Sequence, residues 1–129
     1  MQDVKLKSSD IEAADVFGSA VHLSGSWAVV GAQAEDQGGS QAGAIYVFER
    51  DNCGLWFQRG KLVANDASSG SYLGTSTQLG FRNASVGGVL KTYLTVIGGA
   101  TGAGPGSTGA AYWFEKEIPS YTSICPPKE

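Results

Sequence analysis

This sequence lacks long apolar runs and basic clusters, and it has a single histidine. No apolar stretch approaches the ~20 residues that cross a bilayer, and the polar start Met1–Lys5 has no apolar stretch of the signal-peptide kind, so we expect no membrane insertion. The net charge of −3 comes from 9 basic and 12 acidic residues that form no blocks. Without a basic stripe to follow phosphates, nucleic acid is not an expected partner.

The sequence also contains few residues of the kinds that catalysis requires. His22 is the only histidine, and it alternates with apolar neighbours in Ala20–Leu23, which indicates a packed or half-exposed strand residue rather than a base. The glycine-rich run 98–106 lacks the Lys-Ser/Thr ending of a phosphate loop and precedes a strand rather than a helix. We therefore expect a protein that is not an enzyme and holds no cofactor.

Glycine, in contrast, is abundant, with 19 residues, and the chain repeats itself. Lys5-Leu6, Asp10 and Val16-Phe17-Gly18 recur as Lys61-Leu62, Asp66 and Tyr72-Leu73-Gly74, 56 positions later. Gly43–Arg50 recurs as Gly109–Lys116 at an offset of 66, and Val29–Ala32 matches Val96–Gly99 at 67. The alignment places most of the extra length in Phe81–Lys91. Repeats of this length are typical of propellers and solenoids.

Each repeat contains short runs rich in β-branched and aromatic residues, separated by turn residues, which predicts four strands a to d per unit. In the first unit we expect strands at 19–24, 27–32, 44–50 and 56–64. In the second unit we expect strands at 75–81, 93–99 and 110–116, with residues 82–88 as a loop and no strand d. Residues 4–8 align with 61–64 and are predicted to be an outer strand that pairs with 110–116 of another chain or of the same chain in a closed ring.

These features resemble the FG-GAP repeat family of β-propeller blades, known from integrin α subunits. The Phe-Gly pair that opens strand a is Phe17-Gly18 in one repeat and Leu73-Gly74 in the other. The Gly-Ala that closes strand b is Gly31-Ala32 in the first repeat and Gly98-Gly99 in the second, each without the family's proline. The resemblance implies an all-β fold of two four-stranded antiparallel blades that form part of a larger or oligomeric propeller.

The resemblance implies calcium only where an Asp-x-Asp-x-Asp-Gly loop joins strands a and b. Here that connection is Gly25-Ser26 in one repeat and 82–88 in the other, and neither contains a carboxylate. Calcium requires six to eight oxygen ligands, several of them charged. We therefore expect no metal site in these hairpins, and Glu35-Asp36 is better explained as a solvated loop.

Five aromatic residues raise the question of a sugar-stacking surface: Trp27, Trp56, Phe57, Tyr112 and Trp113. A packed core between blades is the favoured interpretation, because Tyr46 and Phe48, like Tyr112 and Phe114, alternate with a period of two. Trp113 is the exception, since its counterpart is Val47 and it can reach a neighbour.

Two further features bear on the cellular setting. Cys53 and Cys125 allow one disulfide but do not require it. Asn83-Ala84-Ser85 is an N-glycosylation acceptor triplet. Together with the habits of the family, they favour an extracellular or lumenal glycoprotein.

We divide the chain into residues 1–18, an outer strand and the start of the first repeat; 19–64, the first blade; 65–116, the second blade without its outer strand; and 117–129, a tail. Two blades do not close a propeller, so other protein chains, including copies of itself, are the expected partners, and a glycan is a further candidate. Two functions follow: a binding or adhesion module, or a building block of a homo-oligomeric ring, filament or larger assembly.

Overall fold

The computed structural model describes residues 4–10, 12–37, 39–51 and 53–118, which form two antiparallel β-sheets. The first sheet has the order β1-β2-β3-β4 and the second the order β5-β6-β7. One 3-10 turn, Pro105–Ser107, precedes the last strand. The strands are β1 (Phe17–Ser24), β2 (Trp27–Ala32), β3 (Ala44–Arg50), β4 (Trp56–Leu62), β5 (Leu73–Val86), β6 (Val89–Ala100) and β7 (Ala110–Ile118). The predicted all-β class, with sheets of the propeller-blade kind, is confirmed.

The second sheet packs against one face of the first, and this contact forms the main core. Its buried residues are Trp27, Val29, Ile45, Val47, Ala64, Leu73, Leu79, Leu94, Val96, Ala100 and Ala103. The opposite face of the first sheet forms a smaller core around Tyr46 and Phe48, covered by Leu6 and Phe17. All six residues of β2 are therefore buried, as expected for a strand covered on both faces.

The junction between the sheets requires glycine. A side chain at Gly31 would collide with the Gly74 carbonyl oxygen. Gly74 itself has φ +102°, in the left-handed region that glycine adopts at little cost. The Ser19 hydroxyl donates to the carbonyl oxygens of Gly31 and Gly74, each at 3.2 Å. The motif glycines thus allow two backbones to touch where the sheets meet.

The hairpin of the second sheet differs from the predicted one. Residues 82–88 were expected to be a loop, but β5 continues to Val86 and β6 begins at Val89. The pair Gly87-Gly88, both with positive φ, forms the tight turn that a two-residue hairpin needs. The inserted residues lengthen both strands because their backbone groups bond across the hairpin. Smaller differences occur elsewhere. Strand β1 begins at Phe17 rather than 19 and β5 at Leu73 rather than 75, while β4 ends at Leu62 rather than 64, β6 at Ala100 rather than 99 and β7 at Ile118 rather than 116.

Strand pairing corrects the repeat alignment by one residue. Ala32 pairs with Ala44, as Ala100 pairs with Ala110. The counterpart of Gly31-Ala32 is therefore Gly99-Ala100, at an offset of 68, and not the predicted Gly98-Gly99. Small residues repeated in a row let the sequence alignment slip, whereas hydrogen-bonded partners fix the register.

The first described segment is not the strand that was predicted. Residues 4–8 lie in no strand of the structure and do not pair with β7 of the same chain. Leu6 instead packs on the smaller core of the first sheet, and the Ser9 backbone N–H donates to Gln58 Oε1 at 3.0 Å. Leu62 packs on the second sheet beside Phe114 in the same way. The segment therefore takes the place of an outer strand without a ladder partner among the described residues.

Candidate binding face of the second blade

The second sheet has one covered face and one open face. We define the open face by three neighbouring side chains: Gln78 of β5, Ile97 of β6 and Trp113 of β7, which the register places side by side. Ile97 is 47 % exposed and Trp113 is 62 % exposed. Between them runs a shallow groove of about 240 Å³, also lined by Gly80 and Thr95. Exposed apolar side chains of this size gathered on one surface make the open face a candidate interaction site.

The same three positions in the first sheet are His22, Val29 and Val47, which also lie side by side. Val29 is 0 % exposed and Val47 is 3 % exposed, because the second sheet packs on them. The register thus confirms Val47 as the counterpart of Trp113. What is buried contact in one unit is open surface in the other.

Charged residues border the outer end of the open face. Arg82 binds both carboxylate oxygens of Glu115, at 2.9 and 2.6 Å, and its guanidinium lies 4.6 Å from the centre of the Tyr93 ring. Lys91 pairs with Glu117 at 3.3 Å. The hydrogen bond from Arg82 lowers the pKa of Glu115. These pairs balance in charge, and the Arg82 guanidinium also stacks on the Tyr93 ring.

The inner end of the face leads into a groove of about 300 Å³ where the two sheets meet, lined by His22, Thr77, Gln78 and Ile97 among others. His22 Nδ1 accepts a hydrogen bond from the Leu79 backbone N–H at 3.2 Å, so the imidazole joins β1 to β5. The Thr77 hydroxyl is buried without a hydrogen-bond partner. The histidine therefore has a structural partner, as expected for a half-buried strand residue.

A tyrosine-carboxylate bond occurs in both units. Tyr46 donates to Asp10 Oδ1 at 2.8 Å, and Tyr112 donates to Asp66 Oδ1 at 2.7 Å. In the first unit, Lys61 completes the cluster, with Nζ 2.6 Å from Asp10 Oδ2. In the second unit, no lysine or arginine within the described ranges forms an ion pair with Asp66.

Lys61 also pairs with Glu35 at 2.9 Å. Burial alone lowers the pKa of Lys61, but the hydrogen bonds to Asp10 and Glu35 outweigh it and raise the pKa. The hydrogen bond from Lys61 lowers the pKa of Asp10 in turn. Glu35 is buried, whereas Asp36 accepts a bond from the Gln41 backbone. The predicted solvated acid pair is thus split, and Glu35 belongs to a structural ion cluster.

The motif residues predicted from the sequence lie at the blade junctions rather than on the open face. Phe17 packs edge-on against Tyr46, with ring centres 5.5 Å apart, and Leu73 is buried in the main core. Gly18 has a positive φ like its counterpart Gly74. The remaining motif positions are buried or in close contact: Ala32 at 0 % exposure, Gly98 against Ile45, and Gly99 against Ser76.

Two predicted modification sites lie away from the open face. Cys53 is in the turn between β3 and β4, and its backbone N–H donates to Asp51 Oδ1. Its proposed partner Cys125 lies outside the described residues, so the pairing stays a prediction. Asn83 is exposed on the long hairpin, where its Oδ1 accepts a bond from the Thr92 hydroxyl at 2.8 Å. Glycosylation there also stays a prediction.

Of the five aromatic residues considered in the sequence, Trp27 is buried and Trp56 and Tyr112 pack on a core, whereas Phe57 and Trp113 are exposed. Tyr46 and Phe48 are buried, and Tyr112 and Phe114 pack against the main core. The mismatch with Val47 predicted the exposure of Trp113, whereas the exposure of Phe57 differs from the core interpretation. Sequence reasoning missed Ile97, because the one-residue slip aligned it with Val30 instead of Val29. No group of three or more His, Cys, Asp or Glu residues in the described segments is arranged to hold a metal.

Comparison with known proteins supports this architecture. The FG-GAP repeat family matches residues 1–48. The chain carries an FG-GAP repeat. The matched segment ends at Phe48 of β3, and the second sheet repeats the strand register of the first. No curated protein and no solved structure matches the chain.

Two general points follow from the FG-GAP repeat. Such repeats are generally non-catalytic, propeller-type binding modules, and they are typically extracellular. The described part of the chain contains no helix with the length and hydrophobicity needed to cross a membrane.

Proposed function

We propose that this chain is a non-catalytic protein-binding module whose second blade binds a partner protein through its open face. The observation that carries the proposal is the register match between the two blades. Val29 and Val47 are buried by a neighbouring blade, whereas their counterparts Ile97 and Trp113 are 47 % and 62 % exposed. A surface with the residue pattern of a blade contact fits another β-sheet blade.

The setting of this binding is part of the proposal. The acceptor triplet at Asn83 is exposed on the long hairpin, where a glycan leaves the open face uncovered. An extracellular or lumenal adhesion role is supported by this triplet and by the repeat family.

Photo-crosslinking tests the proposal. The photoreactive residue benzoylphenylalanine replaces Trp113 in the full chain, and a matched variant carries it at Phe57, an aromatic residue of β4 that is 42 % exposed. We expect position 113 to form adducts with peptides of another protein chain and position 57 to form far fewer. Equal labelling at both positions, or no peptide adduct at 113, contradicts the proposal.

A glycan is the second candidate, because Trp113 shares its groove with the polar side chains Gln78 and Thr95. A ring beside amide and hydroxyl groups is an arrangement that can stack on a sugar. Titration with a panel of mono- and oligosaccharides, followed by tryptophan fluorescence, distinguishes the two. A saturable change in wild type that is absent in Trp113→Ala favours the glycan, and no change favours the protein partner.

A further inference from the structure

The far side of the first blade carries a second uncovered apolar pair. Val21 and Leu23 of β1 are 68 % and 63 % exposed. Both project from the face that Leu6 and Phe17 cover only in part. Strands β1 and β5 match at an offset of 56, so Leu23 corresponds to Leu79, which is 7 % exposed and packs in the main core. The face of the first blade that carries Val21 and Leu23 therefore corresponds to the face of the second blade that packs on the first.

The open face of the second blade has the complementary residues. Within the chain, Leu79 shares a core with Val29 and Val47, whose counterparts are Ile97 and Trp113. The hydrogen bond between the sheets also has an equivalent. In the first blade, His22 accepts the Leu79 N–H, and Gln78 occupies the matching position in the second blade. A glutamine side-chain oxygen can accept the same bond from Leu23 of another copy. One chain thus carries both halves of the contact.

Asp66, which accepts the hydroxyl of Tyr112 on β7, provides the ionic part of this contact. In the first blade, β4 pairs with β3 and places Lys61 opposite Tyr46, next to Asp10. The segment 4–8 repeats this sequence, with Lys5 in the place of Lys61. Lys5 is exposed, whereas Leu6 packs on its own first blade. None of the described neighbours buries Lys5, so this side of the segment can meet β7 of another copy.

We infer that two copies of this chain associate head to tail, with the first blade of one copy on the open face of the other. This inference rests on the proposed function and names the partner. In the contact, residues 4–8 of one copy add a fourth strand beside β7 of the other, and Lys5 pairs with Asp66. Asp66 already accepts the Tyr112 hydroxyl, as Asp10 accepts that of Tyr46. Because the contact joins two different surfaces, it repeats into a ring or filament.

Charge exchange tests this inference on the full chain. Sedimentation velocity over a range of concentrations compares wild type with Lys5→Asp, Asp66→Lys and an equimolar mixture of the two variants. Each variant alone places like charges in the contact and weakens association roughly fivefold to tenfold, whereas the mixture restores it because contacts between the two different variants have one charge of each sign. Lys7→Asp is the control. It makes the same change of charge at a position whose counterpart in the first blade is Val63, which has no charge.

A separate variant guards against misfolding. Asp66→Asn removes the charge but keeps an oxygen that accepts the Tyr112 hydroxyl, so the melting temperature stays close to that of wild type. We expect it to weaken association about as much as Asp66→Lys or somewhat less. If Asp66→Asn associates as tightly as wild type, or if the mixture associates no more tightly than either variant alone, the Lys5–Asp66 pairing is overturned.

The outcomes separate this inference from the proposed function. A wild type that stays at the monomer mass at every concentration overturns self-association. If position 113 then crosslinks to a different protein, the open face is still a protein-binding surface. If it crosslinks to residues 119–129 of the same chain, the tail covers the face and both proposals fail.

Discussion

The two blades share one backbone register but differ in what covers them. In the first blade, Val29 faces the second blade and Val30 faces the segment that leads into β1, and both are buried. In the second blade, Val96 is buried while its neighbour Ile97 on the same strand is half exposed. The apolar character of a position therefore follows from its place in the repeat, whereas its burial follows from the neighbouring blade.

This difference has an energetic meaning. Burying apolar surface contributes about 25 cal/mol per Å², so an uncovered isoleucine or tryptophan leaves that contribution unrealised. The first blade is stabilised by contacts on both faces, and the second by contacts on one. Paired substitutions at matching positions measure how much each cover contributes.

The largest difference is expected at the junction glycines. Gly31→Ala forces a side chain into the Gly74 backbone and should lower the free energy of unfolding by about 3 kcal/mol, because a backbone cannot move aside cheaply. At the matched position, Gly99→Ala meets the Ser76 hydroxyl 2.5 Å away, and that side chain can rotate. Its cost should stay below about 1 kcal/mol. Urea unfolding of dilute protein measures both losses of stability. Equal losses would contradict the view that only Gly31 touches the backbone of a neighbouring blade.

The next largest difference concerns the apolar faces themselves. Val29→Ala removes two buried methyl groups and should cost about 2 kcal/mol. Ile97→Ala, its register counterpart, should cost less than about 0.5 kcal/mol in dilute protein, since Ile97 is half exposed. The same urea titrations apply. A large loss of stability for Ile97→Ala in the monomer would show that residues outside the described segments also cover this face.

The ion cluster of the first blade gives a smaller effect that depends on pH. Lys61→Met leaves the buried Glu35 carboxylate without its cation, which should cost about 1–2 kcal/mol near neutral pH. Asp10 adds less, because its side chain is 46 % exposed and water screens the pair. Fluorescence-detected unfolding of wild type and variant, from pH 3 to 11, measures the difference.

The sign of this pH dependence follows from the two shifts. The pKa of Asp10 is lowered in the folded protein, so its contribution is present above the ordinary value of 3.8 and is lost as pH falls through the folded value. The pKa of Lys61 is raised, so its contribution is present below 10.5 and is lost as pH rises through the folded value. The stability difference should therefore be greatest between these limits. A difference that grows below pH 4 would contradict the assignment.

The smallest effect is expected at the charged border of the open face. Arg82→Ala breaks the pair with Glu115, in which the arginine side chain is 49 % exposed and the glutamate side chain 18 %, and thermal melts should shift by no more than a degree or two. The shift should vanish at about 0.5 M salt, because salt screens exposed charges. A shift that persists in salt would indicate that the stacking of Arg82 on Tyr93, rather than the ion pair, stabilises the hairpin.

Much of the fold could be predicted because the repeat constrains it. The bounds of β2 and β3 were predicted to the residue, since Trp27–Ala32 and Ala44–Arg50 combine β-branched or aromatic residues with flanking turns. The arms of the long hairpin were not predicted, because Arg82–Val86 carries few strand-forming residues. Its pairing comes from the partner strand and the Gly87-Gly88 turn.

The candidate face could be predicted only in part. Trp113 stood out because a large aromatic residue replaces Val47, and this contrast needs no structure. Ile97 did not, because the run of small residues after it allowed the alignment to slip by one position. Only the hydrogen-bond partners of β6 show that Ile97, and not Val96, lies on the open face.

The central claim is that the open face binds a second copy of this chain as the first blade binds the second. The most direct test is the native mass of wild type and Trp113→Glu by sedimentation equilibrium across a hundredfold range of concentration. The account predicts that the mass of wild type rises above 13.3 kDa with concentration and that the variant, equally stable when dilute, stays at that mass. Identical masses for the two proteins at every concentration would contradict it.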